Sequence, residues 1–257
     1  MSCACVAALL AAGVAAAPPA GYAHVPGGAF RSALPVSAKR YDTRVAPFEL
    51  QAQPVTNAQF LQFVTTHPEW DRDHVPAVFA EGGYLSQWAQ AQALGEARPQ
   101  QPVTRVSWFA AQAYCEARGA RLPTWYEWEF ASAASADAAD ARADPAWRQK
   151  ILDWYATPGS AAVLPDVGTQ PANVYGVQDL HGLVWEWVED AGSLMAGEDN
   201  RSAGDGDIAR FCGSGALSLE QKENYAVLMR IAMLSSLKAS DTTQNLGFRC
   251  ARSPGKP

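Results

Sequence analysis

Thiols are the residues of this chain with the widest chemical reach, so their spacing sets the first limit on what it can do. There are five, Cys3, Cys5, Cys115, Cys212 and Cys250. A thiolate can act as nucleophile, redox group or soft-metal ligand, but a dithiolate metal centre needs two of them close together. Between Cys212 and Cys250 there is no further cysteine. The four histidines, His24, His67, His74 and His181, show neither an HExxH pattern nor a paired-histidine spacing. His181 lies in an aromatic loop, where a hydrogen-bonding role is the better reading. There is also no G-x-S-x-G elbow and no phosphate-binding glycine loop. Glu127, three residues after Thr124, is better explained by helix capping than by acid catalysis.

The thiol count that matters depends on compartment. The N-terminus, "MSCACVAALLAAGVAAAPPAGYAHVPGG", has an apolar run over residues 6–17 with an Ala-x-Ala pattern at Ala15 and Ala17. It reads as a secretory signal occupying residues 1–23, too short to span a bilayer, followed by a domain over 24–257. A periplasmic or secreted location follows. Export would remove Cys3 and Cys5, leaving three cysteines, which in an oxidising compartment suggests one disulfide and one odd thiol. The formal charge of −6, with no cluster of Lys and Arg, argues against nucleic-acid binding. Nine Trp, 20 Gly and 17 Pro favour a loop-rich fold whose aromatics supply much of the buried area.

Several elements can be placed. After the turn in "HVPGGAF" comes a short strand-like run. Thr56 or Asn57 can cap a helix with Phe60, Phe63 and Val64 on its inner face, stopped by His67 and Pro68. Residues 71–101 read as a long surface segment with one helical turn around Trp88, and residues 103–106 as a strand. Ser107 caps a helix through Cys115 to Arg118 that Gly119 ends. Thr124 and Glu127 form a capping box for the next helix. Residues 132–145 read as a solvent-exposed, low-complexity insertion. "NVYGVQDLHGLVWEWVED" reads as a turn-rich, hairpin-like region, and "NLGFRCAR" as one short strand.

Five motifs occur in one order: "VPGGAF", "PVTNAQFLQFV", "VSWFAAQAYCEARGARLPTWYEWEFAS", "NVYGVQDLHGLVWEWVED" and "NLGFRCAR". Together, over about residues 25–252, they resemble the formylglycine-generating enzyme, or sulfatase-modifying factor, family. The resemblance implies an α+β fold: a single mixed domain with little regular secondary structure, related to C-type lectins.

The resemblance also sets expectations for sites. The family's enzymes oxidise a sulfatase cysteine to formylglycine with copper held by two nearby cysteines. Here the matching segment, "CGSGALSLEQKENY", carries Ser218, Gln221 and Glu223 instead. These cannot form a dithiolate Cu(I) site, so copper and formylglycine formation are not expected. Cys212 stands nearby, either as a redox thiol or single copper ligand, or as an inert buried cysteine. Cys115 and Cys250 match positions that are disulfide-bonded in the family. A loop of that length corresponds to roughly 4–5 kcal/mol in the chain-entropy model. The resemblance further implies a structural calcium on Asp179, Gly182, Val184 and Glu186, or else a purely structural Glu186 beside Trp185 and Trp187. Leu183 stands where the family has Asn.

The function expected is that of an exported pseudoenzyme: an accessory, maturation or binding protein for an exported protein or extended peptide. Its groove would be lined by residues 211–225 and parts of 71–101. By resemblance the partner would be a copper respiratory enzyme such as nitrite reductase. The alternative is an oxidoreductase using Cys212 and a bound metal.

Overall fold

The computed structural model describes residues 21–34, 41–156, 163–194 and 225–254. Its largest sheet joins three short antiparallel strands in the order β1 (Tyr22–Val25), β4 (Phe48–Gln51), β7 (Ala251–Arg252). Period-two alternation sets its faces. Ala23, Val25, Phe48, Leu50 and Ala251 point into the core, whereas Tyr22, His24, Glu49, Gln51 and Arg252 share the outer face. β1 includes Tyr22 and Ala23, so the folded domain begins before residue 24. A leader ending at Ala17 leaves this strand whole. One ending at residue 23 cuts it.

β2 (Gly28–Arg31) and β3 (Asp42–Val45) form an antiparallel pair, which bears out the strand-like run after the Pro-Gly-Gly turn. β5 (Trp185–Glu186) pairs in parallel with β6 (Leu246–Gly247), so the aromatic loop is no hairpin: its partner comes from the distant C-terminal segment. "NLGFRCAR" supplies two strands to two sheets, broken over residues 248–250. A Cβ at Gly247 would lie 2.5 Å from the Val103 carbonyl oxygen, so only glycine lets β6 run this close to the 103 segment.

Three helices follow their caps. α1 (Asn57–Thr66) has Thr56 and Gln59 in a capping box and buries Phe60, Phe63 and Val64. α2 (Trp108–Glu116) is capped by Ser107, and Gly119 follows its end at φ 63°. α3 (Trp125–Ser132) has the Thr124–Glu127 box. The inner faces of α1 and α2 meet in an aromatic cluster: Phe60 stacks on Tyr114 at 5.7 Å, and both rings meet Phe248 edge-on.

Four expectations need correction. Residues 103–106 form no strand, because Arg105 takes a positive φ of 53° that breaks the extended run. Residues 71–101 contain turns and bridges rather than a helical turn at Trp88. They are also not all surface: Ala80, Tyr84, Leu85 and Trp88 are buried, and the Trp88 indole N–H donates to Asn57 Oδ1 at 3.0 Å. The insertion after α3 leads into a helix, α4 (Pro145–Ala156), and Ala141 is buried. Beyond these corrections, a further helix, α5 (Tyr225–Ser236), buries Arg230, Ile231 and Leu234. Among the described residues no helix is long and apolar enough to cross a membrane.

Candidate functional site

The aromatic loop that carries the expected calcium positions closes over the centre of the domain. Glu186, on β5, forms an ion pair with Arg249 at 2.8 Å, and both side chains are fully buried. A buried charge needs every lone pair and proton matched. Here Arg249 donates to both Glu186 carboxylate oxygens, to the carbonyls of Gln51 and Ala52, and to that of Gln178. Trp128 Nε1 donates to Glu186 Oε2 at 2.9 Å. The Glu186 carbonyl accepts from Arg230, whose guanidinium lies 3.6 Å above the Trp128 ring centre. One carboxylate and two guanidiniums thus tie β5, β4, α3, α5 and the 178 turn together.

Asp179 takes a positive φ of 59° and is buried. Its carboxylate accepts the backbone N–H groups of Gly168 and Gln170. Burial pushes its carboxyl above the ordinary range, and those two N–H groups pull it back down. Calcium requires six to eight oxygen ligands, carboxylates prominent among them. Both carboxylates of the expected set are engaged elsewhere: Glu186 by a guanidinium and an indole, Asp179 by the 168–170 turn. A calcium ion at Glu186 would also face the Arg249 charge. Asp179, Gly182, Val184 and Glu186 as arranged do not fit the ion, and no group of three His, Cys, Asp or Glu suited to a metal occurs among the described residues. The arrangement matches the structural role for Glu186.

His181, in the same loop, has its Nε2 2.9 Å from the Ser132 carbonyl, which places the proton on Nε2. The ring stands edge-on to Trp128 and Trp147 beside a cavity of about 20 Å³ lined in part by Glu129, Ile151 and Val227. Burial lowers its pKa to about 4, against the Ser132 hydrogen bond. Glu129 anchors the irregular segment after β2: it accepts from the Ser32 hydroxyl, the Ala33 N–H and the Trp125 indole, and burial raises its pKa.

The disulfide lies apart from this centre. Cys115, on α2, is bonded to Cys250, beside β7, with Cα atoms 5.6 Å apart and both residues fully buried. It closes a sequence separation of 135 residues. Cys212 and the segment with Ser218, Gln221 and Glu223 lie outside the described residues. Of the expected groove, the part on 71–101 presents an apolar strip. Val78 is 70% exposed, and Phe79 stacks edge-on against Phe109 at 5.2 Å and lies 6.0 Å from Trp70.

Residues 11–254 match the family described as the sulfatase-modifying factor enzyme 1-like domain. The chain belongs to this family. It is 29% identical over 276 residues to the inactive C-alpha-formylglycine-generating enzyme 2 of Mus musculus, covering 91% of this chain and 86% of that protein. Identity is also 29%, over 282 residues, to the formylglycine-generating enzyme of Streptomyces coelicolor, covering 90% and 88%. Among solved structures, PvdO from Pseudomonas aeruginosa superposes with a TM-score of 0.52 at 19% identity, covering 90% of this chain and 94% of that one. That last likeness concerns the fold alone. In this sulfatase-modifying factor domain, Arg249 and Arg230 are buried structural residues with no counterpart among the sites expected from the sequence. The signal was present: Arg249 is the one charge within "NLGFRC", and Arg230 the one charge within "YAVLMRIAML".

Proposed function

We propose that this family member does not generate formylglycine and serves instead as an exported accessory or maturation protein that binds an extended segment of its partner. The observation that carries this reading is the fate of the thiols. Cys115 and Cys250 are consumed in a buried disulfide, so of the cysteines beyond the leader only Cys212 is left. One thiolate cannot supply the two soft ligands of a linear Cu(I) site. The disulfide supports an oxidising compartment, and the mouse relative is itself named inactive. The exposed Val78 and Phe79 support a role in peptide binding, since exposed apolar patches mark interaction sites. The partner class we propose is the one the family resemblance implies, a copper respiratory enzyme such as nitrite reductase.

The test is incubation with a sulfatase-type cysteine peptide, copper and oxygen, followed by mass spectrometry of the peptide. Unchanged peptide is the expected result. Conversion of the cysteine to formylglycine overturns the proposal.

A further inference from the structure

Several arginines in the described domain have a carboxylate partner. Arg31, Arg72, Arg98, Arg121, Arg142 and Arg249 pair with Asp42, Asp73, Asp166, Glu127, Asp140 and Glu186. Arg118 and Arg252 behave differently. They meet each other at the disulfide-bearing end of the three-stranded sheet, where Arg252 donates to the Arg118 carbonyl at 2.7 Å. Neither has a carboxylate oxygen within 4.0 Å among the described residues. In a chain of net charge −6, two guanidiniums that both act on Tyr22 and lack a counter-ion leave a local excess of positive charge.

Their surroundings hold them in place. The Arg118 guanidinium lies 3.7 Å above the Tyr114 ring centre, and that of Arg252 lies 4.4 Å above Tyr22. Stacking of this kind fixes a guanidinium plane while leaving its N–H fork free for an oxyanion. Arg252 is further fixed because it caps a carbonyl at the end of α2. Two polar atoms in the cluster, the Tyr22 hydroxyl and Arg252 Nε, are shielded from solvent and form no hydrogen bond of good geometry, the Arg252 guanidinium reaching the Tyr22 oxygen only loosely. Both can donate. Burial raises the Tyr22 pKa, against the charges of Arg252 and Arg118 and the loose contact from Arg252, so the phenol keeps its proton for donation. The one acid on this sheet face is Glu49, opposite both Arg252 and His24. It forms no ion pair with either arginine, and the cluster keeps a positive excess.

We propose that Arg118, Arg252 and the Tyr22 hydroxyl form a seat for a single oxyanion, either inorganic phosphate or a carboxylate. The two guanidiniums supply charge-assisted hydrogen bonds, and the anion satisfies the unpartnered Tyr22 and Arg252 donors. The seat lies on the outer face of the sheet. It is independent of whether the domain has lost formylglycine chemistry.

Titration calorimetry of the whole protein with sodium phosphate and with sodium acetate, against sodium chloride at equal ionic strength, tests this. The expected result is saturable one-site binding of phosphate or acetate that weakens about tenfold or more in Arg118→Gln. Binding should be unchanged in Arg44→Gln, which removes an exposed arginine elsewhere. The Arg118 side chain makes no strong structural hydrogen bond, its contact to the Gln59 carbonyl being 3.5 Å, so this variant should keep the native circular dichroism. Tyr22→Phe should weaken binding while leaving the ring stack intact. Preference for phosphate assigns a tetrahedral anion, and preference for acetate assigns an acidic side chain of a partner. Heats no larger than those of chloride, or binding undiminished in Arg118→Gln, overturn the proposal.

Discussion

Arg249 and Arg252 stand three residues apart and face opposite fates. Arg249 enters the core, where a carboxylate and three backbone carbonyls take up its protons. Arg252 lies on the outer face of β7, stacked on Tyr22, with one carbonyl partner and no counter-ion. The break over residues 248–250 that moves the chain from one sheet to another separates them. Residue type is therefore a poor guide to role here. The number of partners the fold provides decides whether a charge is structural or available.

That contrast can be broken by mutation. Glu186→Ala strands the Arg249 guanidinium and the Trp128 N–H in the core, and should cost about 3–5 kcal/mol in urea unfolding. A cost below about 1 kcal/mol, the range of exposed pairs, would show that the pair is not a structural hub. Replacing Cys115 and Cys250 together by alanine should cost roughly 2–5 kcal/mol by the same measurement. Thr124→Ala removes the capping hydroxyl of α3 and should cost about 1 kcal/mol. Arg118→Gln, on the unpaired side of the comparison, should lie within about 0.5 kcal/mol of the parent.

A pH profile sharpens the same contrast between buried and exposed groups. His181 has a folded pKa of about 4, below its ordinary value of 6.5. The unfolded chain therefore binds a proton that the folded one refuses between those values. Stability should fall as pH drops from 6.5 toward 4, and His181→Phe should flatten that part of the curve. Calcium should not raise the unfolding midpoint, because Glu186 and Asp179 are already engaged. A saturable rise lost in Asp179→Asn would restore the metal site.

The helices with caps were legible because their signals are local. Thr56 with Gln59, Ser107, and Thr124 with Glu127 each satisfy backbone donors within one turn. α4 was legible but overlooked: Trp147, Ile151 and Trp154 recur at spacings of four and three behind Asp144, whose carboxylate accepts from Ala146 N–H. The parallel β5–β6 pair was not legible, since its two strands are two residues each and come from segments far apart in sequence. The Glu186–Arg249 pair was half legible. Both residues stood in recognised motifs, but only three-dimensional proximity shows that an arginine occupies the carboxylate where a metal was expected.

The central claim is that the domain keeps its family fold without a copper dithiolate. It is tested most directly by thiol counting and metal analysis of residues 18–257 after copper loading and exhaustive desalting. One free thiol and no retained copper are expected. Stoichiometric copper that disappears in Cys212→Ser would contradict it.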